Sequence, residues 1–203
     1  MKKRFFGLVT ALLIVFTLFA TTASAASTNY KVVPGDSLWK ISRKYEVGLD
    51  EVINANPQIP NPDLIYPDQI ITVPLPNVYV SAYEDQVINL VNDIRVKNGL
   101  SRLKPNWELS RVARFKSQDM HDKRYFSHTS PTYGSPFNMI SAFGISYRTA
   151  GENIAKGYTS PQAVVNGWMN SSGHRANILN AGYTQIGVGY YSSGHYWTQM
   201  FIG

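Results

Sequence analysis

The stretch "VPLPNVY", residues 73–79, limits what this chain can fold into more than any other feature. Pro74 and Pro76 each fix φ and lack an N–H, so neither a helix nor a sheet interior runs through this point. The chain therefore reads as two folding units joined by a short, stiff link over residues 75–80. A segment of about 45 residues lies directly before the link and one of about 125 after it, so the first unit must be unusually compact. The 203 residues include no cysteine. Neither unit can rest on disulfides, and both must be held by packing. Cysteine is also excluded as metal ligand or nucleophile, which leaves His, Asp, Glu, Ser and Thr for any chemistry.

A different pattern occupies residues 1–25. "MKKRF" is basic, "FFGLVTALLIVFTLFA" is apolar, and Ala23-Ser24-Ala25 supplies small residues in an A-x-A arrangement. This reads as a secretory signal peptide cleaved after Ala25. A retained membrane anchor is the alternative, because the apolar run is slightly long for a signal. Loss of Lys2, Lys3 and Arg4 lowers the net charge from +6 to +3. Residues 26–76 then carry −2 and residues 77–203 carry +5. The second unit is mildly basic, but its charge is spread out, with no stripe for nucleic acid. An anionic wall or membrane surface would suit it.

The first unit reads as strand, helix, helix, strand. "YKVV" alternates and is rich in β-branched residues, and "PGD" is a turn. Ser37 is placed to cap the helix "LWKISRKY", whose Leu38, Ile41 and Tyr45 share a face. Asp50 is the expected cap of a second helix that turns Val52, Ile53 and Ala55 to the core. "PQIPNPDLIYPD" is a proline-rich loop and "QIITVP" the closing strand.

Over residues 29–74 this unit resembles a LysM domain. The likeness rests on Y-x-V-x-x-G-D-S-L-W, a central Asn and a final I-x-V-P. Asp68 stands where the family commonly has Gly, a position that implies left-handed backbone, which Asp tolerates better than most residues. The resemblance implies a βααβ fold that binds N-acetylglucosamine polymers, peptidoglycan or chitin, between two loops. Here those loops are Gly35, Asp36, Ser37 and Leu38, and Asn61, Pro62, Asp63, Leu64 and Ile65. Leu38 and Ile65 are the expected apolar contacts. The "NPDLIYP" loop also resembles LysM domains of spore-coat proteins, which implies a spore-coat role.

In the second unit, Val87, Leu90, Val91 and Ile94 form a helical stripe that Gly99 ends. "NWELSRVARFKSQDMHDK" reads as a second helix and "SPFNMISAFG" as a third. "SPQAVVNGWMNS" reads as a fourth, with Ser160 as cap and Pro161 in the first turn. "YTQIGVGYYSSGHYWTQMFIG" gives two alternating runs around "SSG", a hairpin signal. Helices packed on a small antiparallel sheet make an α+β fold.

Three stretches do not read as plain scaffold: "YFSHTSP" around His128, "AGENIAKG" around Glu152 and "NSSGHRANIL" around His174. No HExxH pattern occurs, and no G-x-S-x-G supports Ser127, Ser171 or Ser172 as a nucleophile. Taken singly, each residue also admits a scaffold role: His128 in a loop, Glu152 on backbone amides, His174 in a helix's first turn.

"FSHTSP", "AGENIA", "VVNGWMNSSGHRANIL" and "YWTQMF", in this order, resemble a bacterial CAP domain over residues 81–203. That is the superfamily of cysteine-rich secretory, antigen 5 and pathogenesis-related proteins. The resemblance implies an α-β-α sandwich with a cleft of two histidines and two acidic residues, which in several members holds a divalent cation, often zinc. His128 and Glu152 match the first histidine and the G-E-N carboxylate. The second acidic position falls on Ser171. Alignment on Thr198 and Gln199 puts Tyr196 at the usual second histidine, with His195 one residue early. His174, in the G-H-R of bacterial members, is then the residue expected to complete the cleft.

Two imidazoles, His128 and His174, with Glu152 and a water, could hold Zn²⁺ and support hydrolysis. Without metal the same groups would form a hydrogen-bonded pocket. The leading expectation is a secreted, wall-associated, non-enzymatic protein that binds glycan through LysM and an unidentified ligand or envelope partner through CAP. The rival is a wall-bound hydrolase with a metal in the CAP cleft.

Overall fold

The computed structural model describes residues 26–75 and 78–203. Residues 1–25, where the signal-peptide and anchor readings fall, lie outside them. No helix among the described residues is long and apolar enough to cross a membrane.

The first unit runs β1 (Ser27–Lys31), α1 (Leu38–Lys44), α2 (Leu49–Asn54) and β2 (Ile70–Pro74). β1 and β2 pair antiparallel, with Tyr30 opposite Ile71. Val32, Leu38, Ile41, Val47, Val52, Ile59, Ile71 and Val73 form one buried core. Ser37 Oγ accepts the Lys40 amide and so caps α1. Asp50 does not cap α2. Gly48 is the N-cap, and Asp50 and Glu51 sit in the first turn, where carboxylates oppose the helix dipole favourably. The buried Asn56 amide donates to Val52 O and Thr72 O, and its Oδ1 accepts Thr72 N, which clamps α2 to β2. Asp68 holds the left-handed conformation expected of it, with φ 70°.

The second unit contains α3 (Val78–Lys97), β3 (Lys104–Pro105), α4 (Trp107–Asp122), α5 (Pro136–Ala142), β4 (Ala150–Lys156), α6 (Pro161–Asn170), α7 (Ser172–Ile178), β5 (Gln185–Tyr191) and β6 (Tyr196–Ile202). α3 begins inside the 75–80 stretch read as linker, so the link is shorter than the prolines alone indicate. The sheet order is β3-β5-β6-β4, with β4 and β5 antiparallel to β6 and β3 parallel to β5. Two strands beyond the expected hairpin therefore complete the sheet.

Helices cover both faces, which gives the expected α-β-α layering. On one face Val87 and Val91 of α3 and Val164, Val165 and Trp168 of α6 pack on Ile186, Val188, Trp197 and Phe201. On the other, Leu109, Val112 and Ala113 of α4 and Met139 and Ile140 of α5 pack on Met200 and Ile202. The alternation in "QIGVGYY" explains the asymmetry. Ile186, Val188 and Tyr190 point to α3 and α6, while a side chain at Gly187 or Gly189 would collide with the backbone of α4. α4 consequently lies directly on β5, and this close approach fixes the helix that carries much of the cleft's support.

Candidate functional site

His128 and Glu152 meet. His128 sits in the loop after α4, and Glu152 projects from β4. His128 Nδ1 lies 2.7 Å from Glu152 Oε1. A carboxylate can only accept, so Nδ1 carries the proton and donates; in the neutral ring Nε2 is then an acceptor. The Glu152 side chain is 2% exposed against 52% for His128, so the carboxylate is the buried anchor and the ring faces outward. Glu152 Oε2 is buried and has no hydrogen-bond partner among the described residues.

His174 joins them from the first turn of α7. The helix is tied to β4 at the level of Glu152: Asn153 Nδ2 donates to His174 O at 3.1 Å, and Asn177 Nδ2 donates to Glu152 O at 3.1 Å and to Asn153 Oδ1 at 2.9 Å. Burial pushes the His174 pKa below the usual histidine value, and the nearby charge of His128 pushes it further down. His174 is thus both a helix-start residue and a neighbour of His128.

His195 lies elsewhere. It occupies the β5–β6 hairpin with φ 53°, and its Nδ1 is 2.7 Å from Tyr190 Oη. Glu152 is in register with Met200, so Tyr196 stands four residues, roughly 14 Å, along β6 from that level, and His195 is one step further. Ser171 lies between α6 and α7 as their shared cap residue.

Sequence reasoning missed the device that holds the His128 loop. Lys116 and Asp119, one turn apart on α4, are both buried. Lys116 Nζ donates to Tyr125 Oη (3.0 Å), Ser127 O (2.8 Å) and His128 O (2.9 Å). Asp119 accepts from Tyr125 Oη, Ser130 Oγ and Thr132 Oγ1 at 2.6, 2.6 and 2.7 Å. Burial lowers the Lys116 pKa, and Glu152 and Asp119 partly restore it. In Asp119, three hydroxyl donors outweigh burial and hold the carboxyl below its ordinary value. Polar residues on an amphipathic helix read as solvent-facing, so no local signal marked this pair.

Among the described residues no group of three or more His, Cys, Asp or Glu side chains is placed to hold a metal. Glu152 Oε1 is engaged by His128, while Oε2 has no partner among the described residues; a catalytic zinc ordinarily takes three protein ligands.

In the first unit, the two candidate glycan loops are shaped by their own side chains. Asp36 Oδ2 accepts Val33 N (2.9 Å) and Tyr30 Oη (2.8 Å). These bonds, the Val33 amide first, hold its carboxyl below the usual range. Gly35 takes φ 88°, and its carbonyl accepts Lys40 Nζ at 2.6 Å. In the second loop, Asn61 O accepts Leu64 N and Asn61 Oδ1 accepts Asp63 N, which closes a turn around Pro62. Leu64 is 51% exposed, whereas Leu38 is 2% exposed and lies in the core. The Leu38 side chain therefore offers no surface to a ligand, against the apolar contact expected of it. Ile65 is half-buried against the same core. The loops also expose Val33 and, at 60%, Tyr66; an aromatic between the two prolines of "NPDLIYPD" was the available signal.

Comparison with known proteins follows the same division. Residues 88–201 match the model of the cysteine-rich secretory protein family, CAP, and residues 30–74 match the LysM domain. Bacillus subtilis (strain 168) YkwD is 63% identical over 124 residues, which cover 61% of this chain and 48% of YkwD. The crystal structure of an extracellular protein containing a SCP domain from Bacillus anthracis str. Ames matches with TM-score 0.59 and 34% identity, over 66% of this chain and 46% of that one. The chain thus spans about half the length of each. Spore coat assembly protein ExsA of Bacillus cereus is 47% identical over 49 residues, 24% of this chain and 8% of ExsA.

Proposed function

Because the chain belongs to the cysteine-rich secretory protein (CAP) family and carries a LysM domain ahead of its CAP domain, we propose that it is a secreted, cell-wall-associated protein. In this reading LysM binds N-acetylglucosamine polymers, peptidoglycan or chitin, and the His128–Glu152–His174 cleft takes an envelope ligand. The observation that carries it is the internal bonding of the two candidate glycan loops. The loops are fixed by Asp36 and Asn61 before any ligand arrives, and Leu64 and Tyr66 stand exposed beside them. Such preorganisation lowers the ordering cost of binding, and exposed apolar and aromatic groups suit the apolar face of a sugar ring. A spore-coat location is the finer form of this reading and draws on the likeness of the LysM segment to ExsA.

A second reading rests on the His128–Glu152 pair. A carboxylate that orients an imidazole and leaves Nε2 as acceptor is the arrangement of a general base, which suits a wall-bound hydrolase acting on water. Co-sedimentation with insoluble peptidoglycan tests both readings. The protein should pellet, and Leu64→Asp should reduce the pelleted fraction several-fold with circular dichroism unchanged. Pelleting of Leu64→Asp equal to wild type would refute the groove. Soluble fragments released by wild type and not by Glu152→Gln would favour the hydrolase; none from either would favour the binding module.

A further inference from the structure

α4 serves two partners. Its inner side lies on β5 and carries Lys116 and Asp119. Its outer side carries Glu108, Arg111 and Phe115 at helical spacing, and these meet the LysM domain. Arg111 Nε and Nη2 donate to Glu51 Oε1 and Oε2, both at 2.6 Å. The two side chains are partly buried, 20% and 31% exposed. The Arg111 guanidinium also lies 5.2 and 5.1 Å from the ring centroids of Phe115 and Phe143. Arg43 pairs with Glu108 and stands 4.9 Å from the Trp107 ring centroid. A side chain at Gly48 would displace the tips of Arg111 and Glu51, so glycine there leaves room for the pair.

The LysM residues at this seam come from the end of α1, the α1–α2 turn and the start of α2. In a βααβ unit that end lies opposite the β1–α1 and α2–β2 loops that form the groove. We infer that the α1–α2 end of LysM is a docking surface for the outer side of α4, and that the two domains act as one body with the glycan groove facing away from the seam. Three features favour docking over the relative motion that is the default for linked domains. The Glu51–Arg111 contact is a two-bond fork, which fixes orientation as well as distance. Pro74 and Val78 end and begin elements only four residue steps apart, a leash of at most about 14 Å. The two units also carry opposite net charge, −2 and +5 for residues 26–76 and 77–203. This inference does not depend on what either site binds.

The absence of native cysteine makes the test direct. Spin labels are placed on the otherwise unaltered chain at Asn29→Cys and Gln162→Cys, exposed positions in LysM and CAP. Double electron–electron resonance should give one narrow distance peak. Glu51→Arg, which sets two guanidinium groups against each other, should abolish that peak in favour of a broad distribution, with circular dichroism unchanged. Should Glu51→Arg fail to fold, Arg43→Glu gives the same reading at the second ion pair. A broad distribution in the doubly labelled parent, or an unaltered narrow peak in the folded charge-reversal variant, would overturn the inference.

Discussion

Lys116→Met removes a buried cation and leaves a stem of similar volume, so packing changes little. Three acceptors lose their donor: Tyr125 Oη, Ser127 O and His128 O. Tyr125 keeps its bond to Asp119, so the main cost falls on the two loop carbonyls. A buried polar group left unpaired costs about 1–3 kcal/mol. Relief from burying an ammonium offsets part of this. A net loss of about 3 kcal/mol follows, which at about 2–4 °C per kcal/mol lowers Tm by roughly 6–12 °C. Scanning calorimetry of the full chain reads the stability change. Proton NMR reads the local one: the downfield Nδ1–H signal of His128, protected by Glu152 in the wild type, should be lost as the loop loosens. A Tm within about 1 °C of wild type, with that signal intact, would refute the claim that Lys116 positions His128.

Two further outcomes are expected. Gly189→Ala drives a methyl into the backbone of α4 at Ala113 and Arg114; overpacking of this kind costs about 1–3 kcal/mol, and an unchanged urea midpoint would contradict the close approach of α4 to β5. For His174, burial and the His128 charge lower the folded-state pKa, so the unfolded chain binds the proton more readily. Its contribution to stability is full above the ordinary histidine value and is lost as pH falls from there through the lowered folded value. Urea midpoints should fall between about pH 7.5 and 5.5, and fall less in His174→Gln; equal falls would show that His174 is not the group responsible.

The sequence was most informative where structure is set locally. Ser37, Ser160 and Gly99 stand at helix ends as their chemistry requires, and Asp68 adopts the backbone inferred from its place in the motif. It was least informative where a distant partner decides. "AGENIAK" has no clean apolar alternation, and it is a strand because β6 pairs with it along its whole length. Asp50 had the chemistry of a cap, yet α2 begins two residues earlier, where Gly48 makes room for Arg111 of the other domain. Lys116 and Asp119 sit among polar neighbours in "RFKSQDM", and only the fold turns them inward under a loop. His128 and Glu152 were legible through their motifs, but the choice between His174 and His195 turned on strand register, which a one-residue ambiguity at Tyr196 left open.

The same geometry narrows what chemistry the cleft can support. A serine nucleophile would have to face the free Nε2 of His128. Ser127 adjoins that ring in sequence, but its Oγ accepts the Thr129 amide and its carbonyl is held by Lys116, so it serves the turn. Ser171 is a helix cap, and Ser172 opens α7 on the exposed surface. Neither has a base hydrogen-bonded to it among the described residues. If hydrolysis occurs here, the arrangement suits attack by water, activated at His128 Nε2 while Glu152 holds the opposite nitrogen. Glu152→Gln then discriminates sharply. An amide can still accept from Nδ1–H, so the ring orientation survives, but the negative charge that stabilises an imidazolium does not. Activity that persists in Glu152→Gln would exclude His128 as the base, whereas binding that persists without activity in either form would leave the cleft as a recognition site.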